Sequence, residues 1–93
     1  MEKETENRIA LIGIIVENTD SAEKLNAILH EYGSCIVGRM GIPYPKRKVS
    51  VISVFVDAPA DMISALSGKL GMLPSVNIKT VYARIPDTGD DHR

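Results

Sequence analysis

The sequence predicts a small α+β domain with the element order β-α-β-β-α-β. Four short stretches rich in β-branched residues alternate with two stretches whose apolar residues recur at helical spacing. Clusters of Gly, Pro, Asn, Asp and Ser separate these stretches and mark the turns. The chain has 93 residues, so a single domain is the limit.

The first strand is predicted over residues 8–17, because nearly every residue there is apolar or small, as in a strand buried on both faces. Asp20, followed three residues later by Glu23, indicates a helix start. A helix over residues 21–32 follows, and Gly33 is expected to end it in the left-handed conformation. Its apolar residues share one face: Ala22, Leu25, Ile28, Leu29 and Tyr32.

A second strand is predicted over residues 35–42, where Gly38 and Gly41 weaken it and indicate a bulge or a close approach by another group. The next segment, residues 43–48, contains two prolines and is expected to form a turn. Residues 49–56 are almost all apolar and predict a third, buried strand.

The second helix is expected to open at residues 57–59, since Pro59 suits a first helical turn. Gly71 is its expected end, and residues 76–83 alternate polar with apolar as in a strand at the edge of a sheet. The helix carries one apolar stripe: Met62, Ile63, Leu66, Leu70 and Leu73.

This order is that of a ferredoxin-like sandwich, a four-stranded antiparallel sheet with two helices on one face. In that topology the first and third strands are central, and these are the two most apolar strands here. We expect residues 1–7 to be a mobile arm, residues 8–85 the domain, and residues 86–93 a disordered tail.

The first strand is apolar on both faces, with Ile9, Leu11 and Ile15 on one side and four apolar residues on the other. Two helices can cover only one face of the sheet, so the other face would expose a large apolar patch in a monomer. The sequence therefore predicts a homo-oligomer, a dimer or a tetramer.

Composition argues against nucleic-acid and membrane functions. The formal net charge is −1, and there are three Tyr, one Phe and no Trp, so neither a basic field nor a stacking platform is expected. The acidic N-terminus is unlike a signal peptide, and the longest apolar stretch is too short to span a bilayer. We expect a cytoplasmic protein.

No catalytic or metal-binding constellation is evident. Cys35 is the single cysteine, so no intrachain disulfide can form, and it is expected to be a small buried hydrophobe. His30 and His92 are far apart in the sequence, and neither predicts a metal site. The basic cluster of residues 46–48 is expected to be a solvated turn. These features predict a protein that is not an enzyme and holds no cofactor.

The glycine-rich segments are the more interesting candidates. Glycines at Gly38 and Gly41 would let a ligand approach the backbone, and Arg39 can bind a carboxylate through two hydrogen bonds. Gly68 lies inside the second helix, where glycine disfavours the helix by ~1 kcal/mol relative to alanine. Each segment is open to two interpretations, close packing or ligand contact.

Three segments resemble a known family: residues 38–44 (GRMGIPY), 65–71 (ALSGKLG) and 76–80 (VNIKT). They are similar to the small regulators of the iron-only hydrogenase system, and the likeness covers about residues 8–84. The resemblance implies a fold akin to ACT domains and to the C-terminal domain of the nickel-responsive repressor. Those relatives bind amino acids or metal ions at oligomer interfaces.

The chain lacks the repressor's ribbon-helix-helix segment and its clustered His and Cys ligands, so neither direct DNA binding nor nickel sensing is expected. The resemblance implies a regulator of the iron-only hydrogenase system, a stand-alone ACT-like module that senses a small metabolite at an oligomer interface. The alternative is a ligand-free interaction module that assembles with a hydrogenase maturation or sensor partner. The predicted site residues are Asn18, Asp20, Gly38, Arg39, Met40 and Gly41.

Overall fold

A computed structural model describes residues 6–17 and 21–83. The expected C-terminal tail, most of the expected N-terminal arm and the helix-start residue Asp20 lie outside these ranges. The elements in chain order are β1 (Asn7–Val16), α1 (Ala22–Glu31), a 3₁₀ turn (Gly33–Cys35), β2 (Ile36–Tyr44), β3 (Val49–Pro59), α2 (Ala60–Gly71) and β4 (Val76–Tyr82).

The four strands form one antiparallel sheet in the order β2-β3-β1-β4. The predicted ferredoxin-like fold is therefore confirmed, with β1 and β3 in the centre and β2 and β4 at the edges. A central strand pairs on both edges and is covered by helices on one face, so it is more buried than an edge strand. The two most apolar strands therefore occupy the centre.

The hydrophobic core lies between one sheet face and the two helices. From Ala10 to Val16, every second residue of β1 is buried there, and Ile12 and Ile14 have no exposed surface. The other members of this core come from β3 and from the apolar stripes of both helices, namely Val54, Val56, Ala58, Leu25, Leu29, Ile63, Leu66 and Leu70. Cys35 is 8% exposed and packs in the same cluster.

A buried hydroxyl group fixes the start of α1. Ser21 is 2% exposed, and its Oγ donates a hydrogen bond to the carbonyl oxygen of Pro74 at 2.5 Å. Pro74 lies in the connection between α2 and β4, so this bond links the start of α1 to the segment that follows α2. A buried polar group without such a partner would be unfavourable.

Gly71 ends α2 as predicted, but the left-handed conformation predicted for Gly33 is wrong. Gly33 has no left-handed backbone, and the chain passes from α1 directly into the 3₁₀ turn. Gly71 is the last residue of α2 and also lacks a positive φ. Left-handed backbone occurs instead at Lys48 (φ 59°) and Ser75 (φ 62°), in the two turns that lead into β3 and β4.

The β2–β3 hairpin is longer than the sequence indicated. β2 continues through Pro43 to Tyr44, because on an edge strand the missing N–H of a proline costs no ladder hydrogen bond. The turn is confined to residues 45–48, where the N–H of Arg47 donates to Tyr44 and that of Lys48 donates to Pro45, both at 3.1 Å. β3 extends to Pro59, so α2 begins at Ala60.

None of residues 6–17 and 21–83 covers the sheet face opposite the helices. Several of its large apolar side chains are exposed, among them Leu11 at 49% and Met40 at 63%. No helix in the described part of the chain is both long and apolar enough to cross a membrane.

Replacing Ser75 with glycine should raise the free energy of unfolding by about 1 kcal/mol, because glycine adopts a left-handed backbone without the Cβ clash. Urea denaturation measures the change. The control is Ser34→Gly, in the 3₁₀ turn, where φ is not positive and no gain is expected. An equal gain in both variants would contradict this account of Ser75.

Candidate functional site

A cleft of about 620 Å³ opens between α1 and the end of the β2–β3 hairpin. Its floor is apolar and includes Val16, Leu25 and Ile52, and its rim is polar or charged. The remaining lining residues come from the end of β1, from α1 and from the β2–β3 hairpin with its turn: Glu17, Ala22, Asn26, Arg39, Gly41, Ile42, Pro43, Tyr44, Pro45, Lys48, Val49 and Ser50.

Gly41 helps to keep this cleft open. It pairs with Ile52 across the β2–β3 ladder, on the sheet side that faces the helices. A Cβ built at Gly41 would lie 3.7 Å from Cγ1 of Ile52, an ordinary contact distance. A methyl group would therefore fit here without strain, and the glycine leaves that volume to the cleft.

A β-bulge determines which side of β2 faces the cleft. Ile36 pairs with Val56 and Gly38 pairs with the adjacent Phe55, so Val37 is the extra residue on β2. In a regular strand Ile36 and Gly38 would share a face. Because of the bulge, Ile36 and Gly38 lie on opposite faces. The odd-numbered residues of β2 from Arg39 onward therefore face α1.

Arg39 bridges the cleft from β2 to α1. Its Nη2 donates a hydrogen bond to Oδ1 of Asn26 at 2.8 Å, and the guanidinium remains exposed. Asn26 is neutral, so the charge of Arg39 is not compensated by this contact. Within residues 6–17 and 21–83, no carboxylate forms an ion pair with it.

The charged groups of the cleft favour an anion. Arg39 and Lys48 contribute two positive charges to the lining, and Glu17 contributes one negative charge. Ala22, the first residue of α1, also lines the cleft, so the positive end of the helix dipole lies beside it.

The structure brings together two of the predicted site residues, Arg39 and Gly41. Gly38 and Met40 lie on the opposite sheet face, because neighbouring residues of a strand point to opposite sides. Asn18 and Asp20 are outside the described residues.

Sequence reasoning missed Asn26 and Lys48 as lining residues. Asn26 follows Ala22 by four positions, so helical spacing could have placed both on one side of α1. Lys48 was assigned only to a solvated turn, and no sequence signal distinguished it from its neighbours.

Other candidates contribute little to a site. Gly68 faces open space, since a Cβ there would meet no atom within 4 Å, so close packing against the sheet is excluded for the described residues. In those residues, no group of three His, Cys, Asp or Glu side chains is arranged to hold a metal ion.

One pKa shift is evident, and it lies away from the cleft. Lys69 on α2 donates a hydrogen bond to Oε2 of Glu31 at 2.9 Å, and this bond raises the pKa of Lys69 above its ordinary value. The Lys69 ammonium also lies 5.3 Å from the centre of the Tyr32 ring. Both groups of the ion pair are exposed, so it joins the two helices at the surface and contributes little to stability.

Residues 8–80 match a protein family described as "Iron-only hydrogenase system regulator, putative". The chain belongs to this family. The resemblance noted from the three sequence segments is thereby confirmed. No curated protein matches the chain.

A solved structure supports the same assignment. The uncharacterized protein TM1266 from Thermotoga maritima is 31% identical to this chain and superimposes with a TM-score of 0.82. The match covers 85% of this chain and all of that one. This chain thus shares its ferredoxin-like fold with TM1266 over the whole length of that protein.

Replacing Asn26 with aspartate should convert the hydrogen bond to Arg39 into an ion pair. We expect a coupling between the two positions of about 0.2–1 kcal/mol at low salt, reduced in concentrated salt. A double-mutant cycle of Asn26→Asp and Arg39→Ala, followed by urea denaturation, measures it. The new carboxylate also repels Glu23, three residues away. This repulsion is the same with and without Arg39, so it cancels in the cycle. Absence of any coupling would mean that Arg39 does not reach α1 in solution.

Proposed function

We propose that this protein is a regulator of the iron-only hydrogenase system that senses a small metabolite carrying a carboxylate group. The observation that supports this most directly is the cleft beside α1, with the exposed guanidinium of Arg39 across its rim. Family membership supports the regulatory role.

The volume of the cleft suits a small metabolite. Ligand pockets in proteins commonly have volumes of roughly 300–1,000 Å³ and combine an apolar floor with a few polar groups. At about 620 Å³, with Leu25 and Ile52 below and Asn26 and Arg39 above, the cleft has both properties.

Arg39 is suited to a carboxylate because guanidinium donates in a planar fork and can form two parallel hydrogen bonds with it. One donor is now used on the neutral Asn26, and a bound carboxylate would offer a stronger, charge-assisted partner. Lys48 on the same rim adds a second positive charge.

The signal would pass through β2. Its cleft-facing residues alternate with Met40, Ile42 and Tyr44, which lie toward the opposite sheet face. A ligand that binds one oligomeric arrangement more tightly than another shifts the population toward it. We therefore place the output in the homo-oligomer and in a partner protein that recognises it. No chemical step is required.

A thermal-shift screen tests this proposal with single amino acids, di- and tricarboxylates, nucleotides and divalent metal ions as probes. A ligand at about 100 times its dissociation constant adds ~2.7 kcal/mol of stability, which raises the melting temperature by roughly 10–20 °C in a domain of this size. We expect a carboxylate-bearing probe to give this shift.

Two matched pairs of variants locate the site. Arg39→Ala should abolish the shift, whereas Arg47→Ala, in the hairpin turn, should retain it. Gly41→Val fills the cleft and should abolish it too, whereas Gly38→Val, on the opposite sheet face, should not. Retention of the shift in both cleft variants would remove the cleft from the proposal.

A ligand-free interaction module is the second candidate, and the exposed apolar sheet face favours it. This function would replace the first if no probe shifted a cooperatively unfolding protein while a hydrogenase maturation or sensor protein bound it directly.

A further inference from the structure

The sheet face opposite the helices carries a continuous apolar surface, here named the open face. The ladder register places its residues in neighbouring positions on all four strands. Its large apolar side chains are 39–63% exposed: Leu11, Ile15, Met40, Ile42, Tyr44, Val51, Phe55 and Val81.

These side chains are arranged in rows across the strands. Phe55, Leu11 and Val81 are paired neighbours in one row, and Ile42, Val51 and Ile15 are paired neighbours in another. Between them runs a row whose two central members, Ser53 and Gly13, are small. The surface therefore has a shallow central trough between two apolar ridges, with Met40 and Lys79 at the two ends of the middle row.

The area of the open face matches what a stable protein interface requires. Fractional exposures of this size on eight large residues correspond to on the order of 800 Å² per protomer, the area each partner contributes to a standard interface. The largest apolar patch on a typical monomer is only about 300–600 Å².

We propose that the open face packs against the open face of a second copy of this chain. An interface with two-fold symmetry joins the same patch on both subunits, so it needs a surface that is complementary to itself. A trough between two ridges meets this need, because a ridge of one copy can enter the trough of the other.

The charges around the open face also favour a second copy over a membrane. Asp57 borders it at the end of β3, and Lys79 borders it on the outer strand β4. Both signs are present, whereas a surface for anionic lipid would carry an excess of Lys and Arg. Two copies can pair these opposite charges around an apolar centre.

A recess on the same face offers a further contact. It has a volume of about 550 Å³ and is bordered by Ile15, Tyr44 and Val49, with Arg47 at the hairpin turn. Several partner side chains of the size of methionine or leucine could enter it. Insertion of side chains into recesses of this kind contributes to the close packing of stable interfaces.

This interface deepens the proposed function, since it names the oligomer contact to which β2 would transmit ligand binding. Its test contains no ligand, so failure of the interface and failure of the cleft as a sensor are distinguishable.

Sedimentation velocity over a micromolar to millimolar concentration series tests the interface. We expect the wild-type protein to form a dimer or a larger assembly built from it. Leu11→Glu, on a central strand, and Val81→Glu, on the outer strand, should each raise the dissociation constant at least about 100-fold, because two-fold symmetry buries the introduced carboxylate twice.

Met72→Glu is the matched control, since Met72 is 84% exposed at the end of α2 and lies off the open face. It should leave the assembly unchanged. Circular dichroism and urea denaturation verify that each variant is folded, and Val81→Glu keeps the test valid if Leu11→Glu does not fold.

Two outcomes would overturn the proposal. A wild-type protein that remains monomeric throughout the series would mean that the open face serves another partner or a lipid surface. An assembly that persists in both folded open-face variants would place the subunit contact elsewhere, for example at the edge strands β2 and β4.

Discussion

The structure depends on one geometric constraint: two helices cover one face of a four-stranded sheet. Burial of Ile12, Ile14, Val54 and Val56 under the helices provides the hydrophobic driving force for folding. The same alternation that buries these residues turns their apolar neighbours, Leu11 and Phe55 among them, toward the uncovered face. The alternation of side chains along the same strands thus produces both the core and the open face.

β2 is where the proposed ligand cleft and the proposed interface meet. As an edge strand it has only one neighbour in the sheet, and α1 leaves part of its inner side uncovered. Arg39 and Gly41 line the cleft on that side, while Met40 and Ile42 belong to the open face. A regulator needs a segment that senses at one surface and reports at another, and an edge strand with different chemistry on its two sides meets this need.

The fold was predictable because several independent features of the sequence indicate the same arrangement of elements. Apolar runs mark the central strands, alternation marks β4, and helical periodicity marks both helices. The helix ends were less predictable. Gly33 was expected to adopt a left-handed conformation, but the 3₁₀ turn that buries Cys35 continues the chain in another direction. Here the packing of Cys35 in the core outweighed the preference of Gly33 for a left-handed helix end.

The structure places only half of the glycine-arginine segment in the cleft, and the reason is physical. Four consecutive strand residues cannot share a face, so Gly38 and Met40 had to separate from Arg39 and Gly41. Which pair would face α1 depended on the bulge at Val37, and the pairing that defines a bulge involves a strand distant in sequence. No local pattern contains that information.

By itself, the sequence determined the order of the elements, the central position of β1 and β3 and the resemblance to a regulator family. These follow from residue periodicity and short motifs, which are local properties. Only the tertiary structure decided that Asn26 and Lys48 join Arg39 around one cleft, and which apolar residues stand beside one another on the open face. Such groupings depend on strand register and helix position, which are set when residues far apart in the chain pack together.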